Sequence, residues 1–308
     1  MSAGWVAGNV RAVALSNRCL GAARARELAA SGSLTAAQRY LADGPYRRGI
    51  DVGASLADTE DAIAATALWQ LRVLAGWQPR PGARMIRTLA GGFELANIRT
   101  LAAALDGRIT ESRPFELGAL AIAWNRLRDS ASTTSLRAAL RQTPWGDPGG
   151  DSAADIAVGT ALTWANRVVT QVPAAVRWAS GGAALLVARH RLLESRTLTE
   201  PGARQAVRLL GSAAVTAADL TAFTAALPVA ARWALIGTTS IDELWRAEFR
   251  WWSTVARDGA ELLHANHFGA AKPVGAVAVL GADAWRVRAA LHFAAAGAPA
   301  TEAYDELV

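Results

Sequence analysis

The chain has 308 residues, 52% of them hydrophobic and 19% charged, a composition that excludes an intrinsically disordered protein. Chains longer than about 250 residues usually divide their core, so we expect two or three domains. Alanine and leucine dominate, whereas the β-branched and aromatic runs typical of strands are scarce. The composition therefore predicts an all-α protein.

The formal charge of +6 is compatible with a polyanionic partner and equally with the arginine and alanine bias of a GC-rich genome. The arginines are scattered along the chain, and Lys272 is its only lysine.

Cys19 is the only cysteine, which excludes an intrachain disulfide and a zinc site built on several cysteines. A single cysteine also fits a reducing cytoplasm. We expect neither a signal peptide nor a membrane-crossing segment, since uncharged stretches fall short of the ~20 apolar residues that a bilayer requires.

The first quarter of the chain shows helical spacing of apolar residues from Asn9 to Ala30 and again from Leu34 to Leu41, with Ser33 as the N-cap. Gly44-Pro45 ends this second run and leaves the turn sequence Leu41-x-x-Gly44-Pro45-Tyr46. Two longer helices are predicted next, over Asp58–Leu74 and Met85–Leu105.

The helix predicted over Met85–Leu105 contains the most informative stretch of the chain, Gly91-Gly92-Phe93-Glu94-Leu95-Ala96-Asn97-Ile98-Arg99. Its apolar residues form one stripe at helical spacing, made of Leu95, Ile98, Ala102 and Leu105. Glu94 and Asn97 are neighbours on the helix surface because they lie three residues apart. Asn97 stands at the margin of the apolar stripe, so we expect it to fix helix docking through hydrogen bonds.

A second unit repeats this order of elements. A helix is predicted over Leu117–Leu127, and the sequence Leu140-x-x-Thr143-Pro144-Trp145 then repeats the spacing of the first turn, with an aromatic residue after the proline. Helices are predicted over Ile156–Val169 and Pro173–Leu193, and Gly181-Gly182 falls in register with Gly91-Gly92.

A third unit is weaker, with helices predicted over Leu220–Leu227, Ile241–Glu261 and Val274–Phe293. Aligning Gly281 with Gly92 places Asp283 on Glu94, Arg286 on Asn97 and Arg288 on Arg99. This self-similarity predicts three helical domains, at residues 1–110, 111–205 and 206–308.

The signature Phe93-Glu94-x-x-Asn97-Ile98-Arg99 resembles a box that closes each repeat in the family of V-type and archaeal-type ATPase C subunits, whose eukaryotic members are termed d subunits. The family's repeat also has an early Leu-x-x-Thr-Pro-Tyr-like turn, which this chain carries twice. The chain departs from the box in its second copy, with Ala184 and Val187 in place of Glu94 and Asn97, and in its third copy, with Arg286 in place of Asn97. The resemblance runs from about Val10 to Val308.

The resemblance implies three similar helical domains arranged as a funnel around a pseudo-threefold axis. It implies a non-catalytic part of the central stalk, peripheral on the cytoplasmic face of the membrane, that transmits torque for proton or sodium transport. Its partners would be the D and F subunits of the shaft and the membrane rotor ring, held through protein contacts and without cofactor or metal. Phe93, Glu94, Asn97 and Arg99 would then be structural residues.

Other classes of function have weaker signals in the sequence. The only lysine stands between Ala271 and Pro273, so no Walker A loop exists. The best metal candidate is Glu261-x-x-His264-x-x-His267 on one side of a helix, but no second Glu-x-x-His accompanies it. A helical-repeat adaptor of another assembly remains the alternative, and a nucleic-acid-binding protein lacks both a basic stripe and a known signature. Trp245, Trp251 and Trp252 are expected mainly in packing.

Overall fold

The computed structural model describes residues 4–109, 112–297 and 304 of the chain. Within these residues fifteen α-helices form and no strand does, which confirms the all-α prediction. The helices are α1 (Gly4–Ser16), α2 (Gly21–Ala29), α3 (Leu34–Ala42), α4 (Leu56–Gly76), α5 (Arg80–Leu105), α6 (Trp124–Leu127), α7 (Thr133–Arg141), α8 (Ala153–Gln171), α9 (Val176–Ala188), α10 (Glu200–Leu210), α11 (Ser212–Thr216), α12 (Leu220–Ala226), α13 (Val229–Arg232), α14 (Leu244–Leu263) and α15 (Ala271–Ala296).

The chain divides into two compact units, each assembled from segments distant in sequence. Unit 1 comprises Met1–Ile86, Glu111–Gly118 and Trp252–Val308, and unit 2 comprises Arg87–Thr110 and Ala119–Trp251. The predicted boundary between residues 205 and 206 falls inside α10. The division into three domains around an axis remains a prediction.

In unit 1 the long helix α15 packs against α1, α2, α3 and α4. Buried residues occur all round α15, as expected of an alanine-rich helix at the centre of a core. Ser33 caps α3 as predicted, its hydroxyl accepting a hydrogen bond from the backbone N–H of Ala36 at 3.2 Å. Gly259 of α14 and Gly275 of α15 let the two backbones approach closely.

In unit 2 the central elements are α8, α9, α10 and α13, which pack on one another around one apolar cluster. Ser152, Thr199 and Asp219 each cap the following helix with a side-chain oxygen. The predicted helix Pro173–Leu193 is helical throughout with two differences, because it opens with a 3₁₀ turn at Pro173–Ala175 and its last turn, Arg189–Leu193, is a π-helix.

Helix α5 carries the Gly91–Arg99 stretch and begins at Arg80, earlier than predicted, because a proline such as Pro81 is tolerated in the first turn of a helix. The predicted apolar stripe is confirmed for Leu95, Ile98 and Ala102, which are buried, while Leu105 is half-buried.

Two predicted helices are interrupted. The run Asn9–Ala30 breaks between Ser16 and Gly21, and Leu117–Leu127 is reduced to a 3₁₀ turn at Gly118–Leu120 and the short α6. In both places a buried carboxylate binds two successive backbone N–H groups, which fixes the chain outside a continuous helix. Apolar spacing contains no information about such a partner, so the sequence predicted unbroken helices.

Candidate functional site

Glu94, the acid of the signature, is almost fully buried in unit 2, with 1% of its surface exposed. Its carboxylate accepts hydrogen bonds from the backbone N–H groups of Ile122 and Ala123, at 2.5 and 2.7 Å. The indole Nε1 of Trp145 donates a third bond to Glu94 Oε1 at 2.7 Å. We call these four residues the Glu94 clamp. The carboxylate stands where α6 begins, a place that favours negative charge.

Trp145 reaches Glu94 because of the turn that precedes it. Thr143 Oγ1 donates to the carbonyl of Leu140 at 2.8 Å and accepts the N–H of Trp145 at 3.2 Å. Pro144 fixes its own φ within this turn, and Gly146 follows with a φ of +71°. The Leu-x-x-Thr-Pro-Trp sequence thus sets the direction of the indole.

Asp283 of α15 occupies an equivalent environment in unit 1, again with 1% exposure. Its carboxylate accepts the N–H groups of Leu20 and Gly21 at 2.8 and 2.9 Å, where α2 begins. The hydroxyl of Tyr46 donates a third bond at 2.9 Å. These four residues form the Asp283 clamp, and Gly21 adopts a φ of +80° there.

The two clamps join the same two sequence features. In each, the acid of a Gly-x-acid helix binds two successive backbone N–H groups at the N-terminal end of another helix and the aromatic residue that follows the turn proline. The alignment of Asp283 with Glu94, inferred from the sequence, therefore matches the chemistry of the two sites. That the acid and the aromatic residue would meet was not predicted, and the signal that could have shown it was the recurrence of both motifs.

The second copy of the box contains neither the acid nor the asparagine. Ala184 and Val187 stand at those positions, both fully buried in the apolar cluster of unit 2 together with Leu227 and Leu235. An acid buried among these residues would lack partners, at a cost of several kcal/mol. Apolar packing therefore replaces the clamp at this copy.

The glycine pairs recur in the same way within unit 2. The ring of Trp164 lies against Gly91 and Gly92, and its Nε1 donates to the carbonyl of Thr88 at 2.7 Å. Trp251 lies against Gly182, and its Nε1 donates to the carbonyl of Trp178 at 3.0 Å. Thr88 and Trp178 each precede a glycine pair by three residues, so the register of Gly91-Gly92 with Gly181-Gly182 has a structural counterpart. Each pair leaves room for a tryptophan ring.

The electrostatic effects of the clamps are clearest in unit 1. Burial, and then the nearby Asp283 carboxylate, raise the pKa of Tyr46 well above its usual value. The same two causes raise the pKa of the Cys19 thiol, which keeps it protonated and poorly reactive. In unit 2, burial lowers the pKa of Arg167, while attraction to Glu94 opposes that shift.

The other signature residues occupy different positions on α5. Asn97 is buried, with 2% of its surface exposed, as its place beside the apolar stripe predicts. Phe93 is half-buried and Arg99 is exposed. The structure therefore buries Glu94 and Asn97 together and leaves Arg99 at the surface.

The metal candidate, Glu261 with His264 and His267, does not lie on one helix face in the structure. Helix α14 ends at Leu263, so His264 and His267 lie beyond it, and His264 Nδ1 contacts the carbonyl oxygen of Ala260 at 2.7 Å. The described ranges contain no group of three or more side chains placed to hold a metal ion.

The three tryptophans of α14 have different surroundings. Trp251 donates to Trp178 as described above, Trp252 stacks on Trp285 with centroids 5.7 Å apart, and Trp245 is exposed and meets Phe249 edge-on. The prediction of packing holds for Trp251 and Trp252.

Over the part of the chain that the structure describes, no helix has the length and apolar character needed to cross a bilayer.

Chemically, the clamps hold backbone and side chain together. A carboxylate with three donors and 1% exposure is already occupied by hydrogen bonds, so it stabilises local structure and is poorly placed to exchange protons with a substrate.

Comparison of the chain with models of protein families and with curated proteins finds no match.

Proposed function

We propose that this chain belongs to the central stalk of a V-type or archaeal-type rotary ATPase, as the equivalent of its C subunit. It would sit on the cytoplasmic face of the membrane rotor ring, receive the shaft formed by the D and F subunits, and transmit torque between ATP hydrolysis and ion transport. The chain itself would carry out no chemistry.

One observation carries the proposal. The resemblance rests on two motifs, the turn with its aromatic residue and the box with its acid, and in both clamps these motifs hydrogen-bond to each other. A chance match of short motifs gives no reason for them to meet, whereas a repeated architecture does. The loss of the acid at Ala184 within an apolar setting supports the same interpretation.

The clamps also suit a mechanical role. Each links the start of one helix, a turn and the middle of another helix through charge-assisted hydrogen bonds that are shielded from water. Close packing of alanine-rich helices, with glycines at Gly91 and Gly275, adds rigidity because such interiors compress little. A torque-transmitting part needs resistance to bending more than any reactive group.

Deletion of the gene in its own cells tests the proposal. We expect membranes from the deletion strain to hydrolyse or bind ATP while ATP-driven ion pumping is lost, because the nucleotide sites would lie on other subunits. Restoring the chain should restore pumping. An ATPase that assembles and pumps normally without the chain would eliminate this function and leave the helical-repeat adaptor as the better hypothesis.

A further inference from the structure

Helix α1 is unusual because its water-facing side is apolar. Gly8, Asn9, Ala12 and Leu15 face the core, whereas Val6, Val10 and Val13 point outward, and Val10 is 60% exposed. The three valines share one stripe because they are spaced by four and three residues. The only charged residue of α1 is Arg11.

Aromatic rings flank the stripe on both sides. Arg11 lies to one side, with its guanidinium 4.6 Å from the ring centre of Trp77, and Trp77 is 48% exposed. Asn9 lies to the other side and exchanges hydrogen bonds of 3.0 and 3.2 Å with Gly269, the neighbour of Phe268. Phe268 is 42% exposed, and the Lys272 ammonium lies 5.9 Å from its ring centre. We call Val6, Val10, Val13, Trp77 and Phe268 the α1 surface.

Arg11 and Lys272 lie at the α1 surface, and the sequence segments that supply it are basic. Residues 1–26 contain four arginines and no acid, and residues 62–86, which include the end of α4 and the start of α5, contain three arginines and no acid. Arg18, Arg80 and Arg84 are exposed. Glu261, near the end of α14, is the acid closest in sequence to Phe268. An anionic surface would therefore be attracted here.

An exposed apolar stripe is buried favourably at the boundary of the acyl chains, aromatic rings favour the headgroup level, and long basic side chains reach lipid phosphates. At 13 residues α1 is too short to cross a bilayer and could only lie along it. From this combination we infer that the α1 surface docks on an anionic lipid bilayer. The inference adds a direct lipid contact to the proposed function and does not depend on it.

Vesicle flotation with the purified full-length chain tests the inference, using phosphatidylcholine vesicles with and without phosphatidylglycerol. We expect binding to the anionic vesicles, weakened by salt and lowered on the order of tenfold by Val10→Asp, which places a charge in the apolar stripe. Val229→Asp is the matched control, because Val229 is 84% exposed and belongs to unit 2. It should bind as the unchanged chain does.

A second variant separates charge from apolar burial. Arg11→Gln combined with Lys272→Gln should reduce binding to anionic vesicles while leaving the fold, followed by circular dichroism, unchanged. The inference is overturned if the chain without substitutions does not bind the anionic vesicles, or if the Val10→Asp variant binds them as well as that chain does. If Val10→Asp instead disrupts capture of a protein partner without any vesicle binding, the α1 surface is a protein interface and the lipid inference fails. Loss of vesicle binding with rotor association intact would leave the proposed function standing.

Discussion

Glu94 and Asp283 show how a buried acid can define local structure. Each carboxylate accepts two successive backbone N–H groups and one aromatic donor, so each contributes to the position of three chain segments. Hydrogen bonds to a charged group are worth more than neutral ones, and removing the acceptor leaves buried donors unpaired. The clamps should therefore be sensitive to small chemical changes.

Glu94→Gln keeps the shape of the side chain but removes its charge and turns one oxygen into a donor that faces other donors. We expect it to reduce the free energy of unfolding by about 2–4 kcal/mol, measured from the midpoint of urea denaturation. Asp129→Asn is the control, because the Asp129 side chain is 83% exposed, and it should change stability by less than about 0.5 kcal/mol. Equal effects from the two substitutions would contradict the structural role of Glu94.

Asn97 provides a second test on the same helix. Because Asn97 is buried, Asn97→Leu should cost about 1–3 kcal/mol through loss of its polar contacts. Arg99→Leu, at an exposed position two residues away, is the comparison and should have little effect on stability. A denaturation midpoint unchanged by Asn97→Leu would move the role of the signature from packing to partner contact.

The sequence was informative about these residues singly and uninformative about their pairing. Burial of Asn97 followed from its place beside an apolar stripe, and the alignment of Asp283 with Glu94 followed from the repeat. The bonds from Trp145 and Tyr46 could not be derived from the sequence, because they join residues 51 and 237 positions apart. Only tertiary folding brings such residues together.

At the scale of elements, helix existence was predictable and helix interruption was not. The predicted stretches Asp58–Leu74, Ile156–Val169 and Val274–Phe293 all lie inside observed helices, because apolar spacing reports a buried face. The breaks before α2 and before α6 depend on carboxylates from α15 and α5. His264 and His267 of the Glu261-x-x-His264-x-x-His267 motif likewise do not lie on one helix face, since α14 ends at Leu263, inside the motif.

Close helix packing gives a prediction for α15. A Cβ atom at Gly275 would lie 2.5 Å from the carbonyl oxygen of Gly259, and that backbone atom cannot move aside cheaply. At Gly281, on the same helix, the nearest atom to an added Cβ is 3.8 Å away, in Trp252. Gly275→Ala should therefore lose about 1–3 kcal/mol of stability. Gly281→Ala should be neutral or gain up to about 1 kcal/mol from helix propensity.

Thermal or urea unfolding of Gly275→Ala and Gly281→Ala measures the difference in stability between the two variants. Both substitutions add the same methyl group to the same helix, so propensity cancels in their difference. If Gly275→Ala is as stable as Gly281→Ala, the close approach of α14 and α15 does not exist as described.

For the whole molecule, the buried phenols predict a stability that declines in alkali. The pKa values of Tyr46 and Tyr304 are raised, in both cases chiefly by burial, and that of the Cys19 thiol is raised for the same reason. A raised pKa means that the neutral form is favoured by folding. The resulting stabilisation is complete below the unfolded values, near pH 10 for tyrosine, and is lost as pH rises toward the folded ones.

We expect the free energy of unfolding to change little between about pH 7 and about pH 8 and to fall above about pH 9–10. Tyr46→Phe should be less stable at neutral pH, because Asp283 loses a donor, but should show a shallower alkaline decline. Urea denaturation across this range measures both. A decline of equal slope in the two proteins would show that Tyr46 does not titrate in the transition.

Affinity purification identifies the proteins that the chain binds in its own cells. The chain would be tagged at its own locus, captured from detergent-solubilised membranes, and its companions identified by mass spectrometry. If the chain is part of the central stalk, the D and F subunits of the shaft and the protein of the rotor ring are recovered together with it, in amounts that fall when the rotor is absent. Recovery of the intact chain without any other part of the rotary ATPase, from cells that contain the assembled enzyme, would contradict membership of the central stalk.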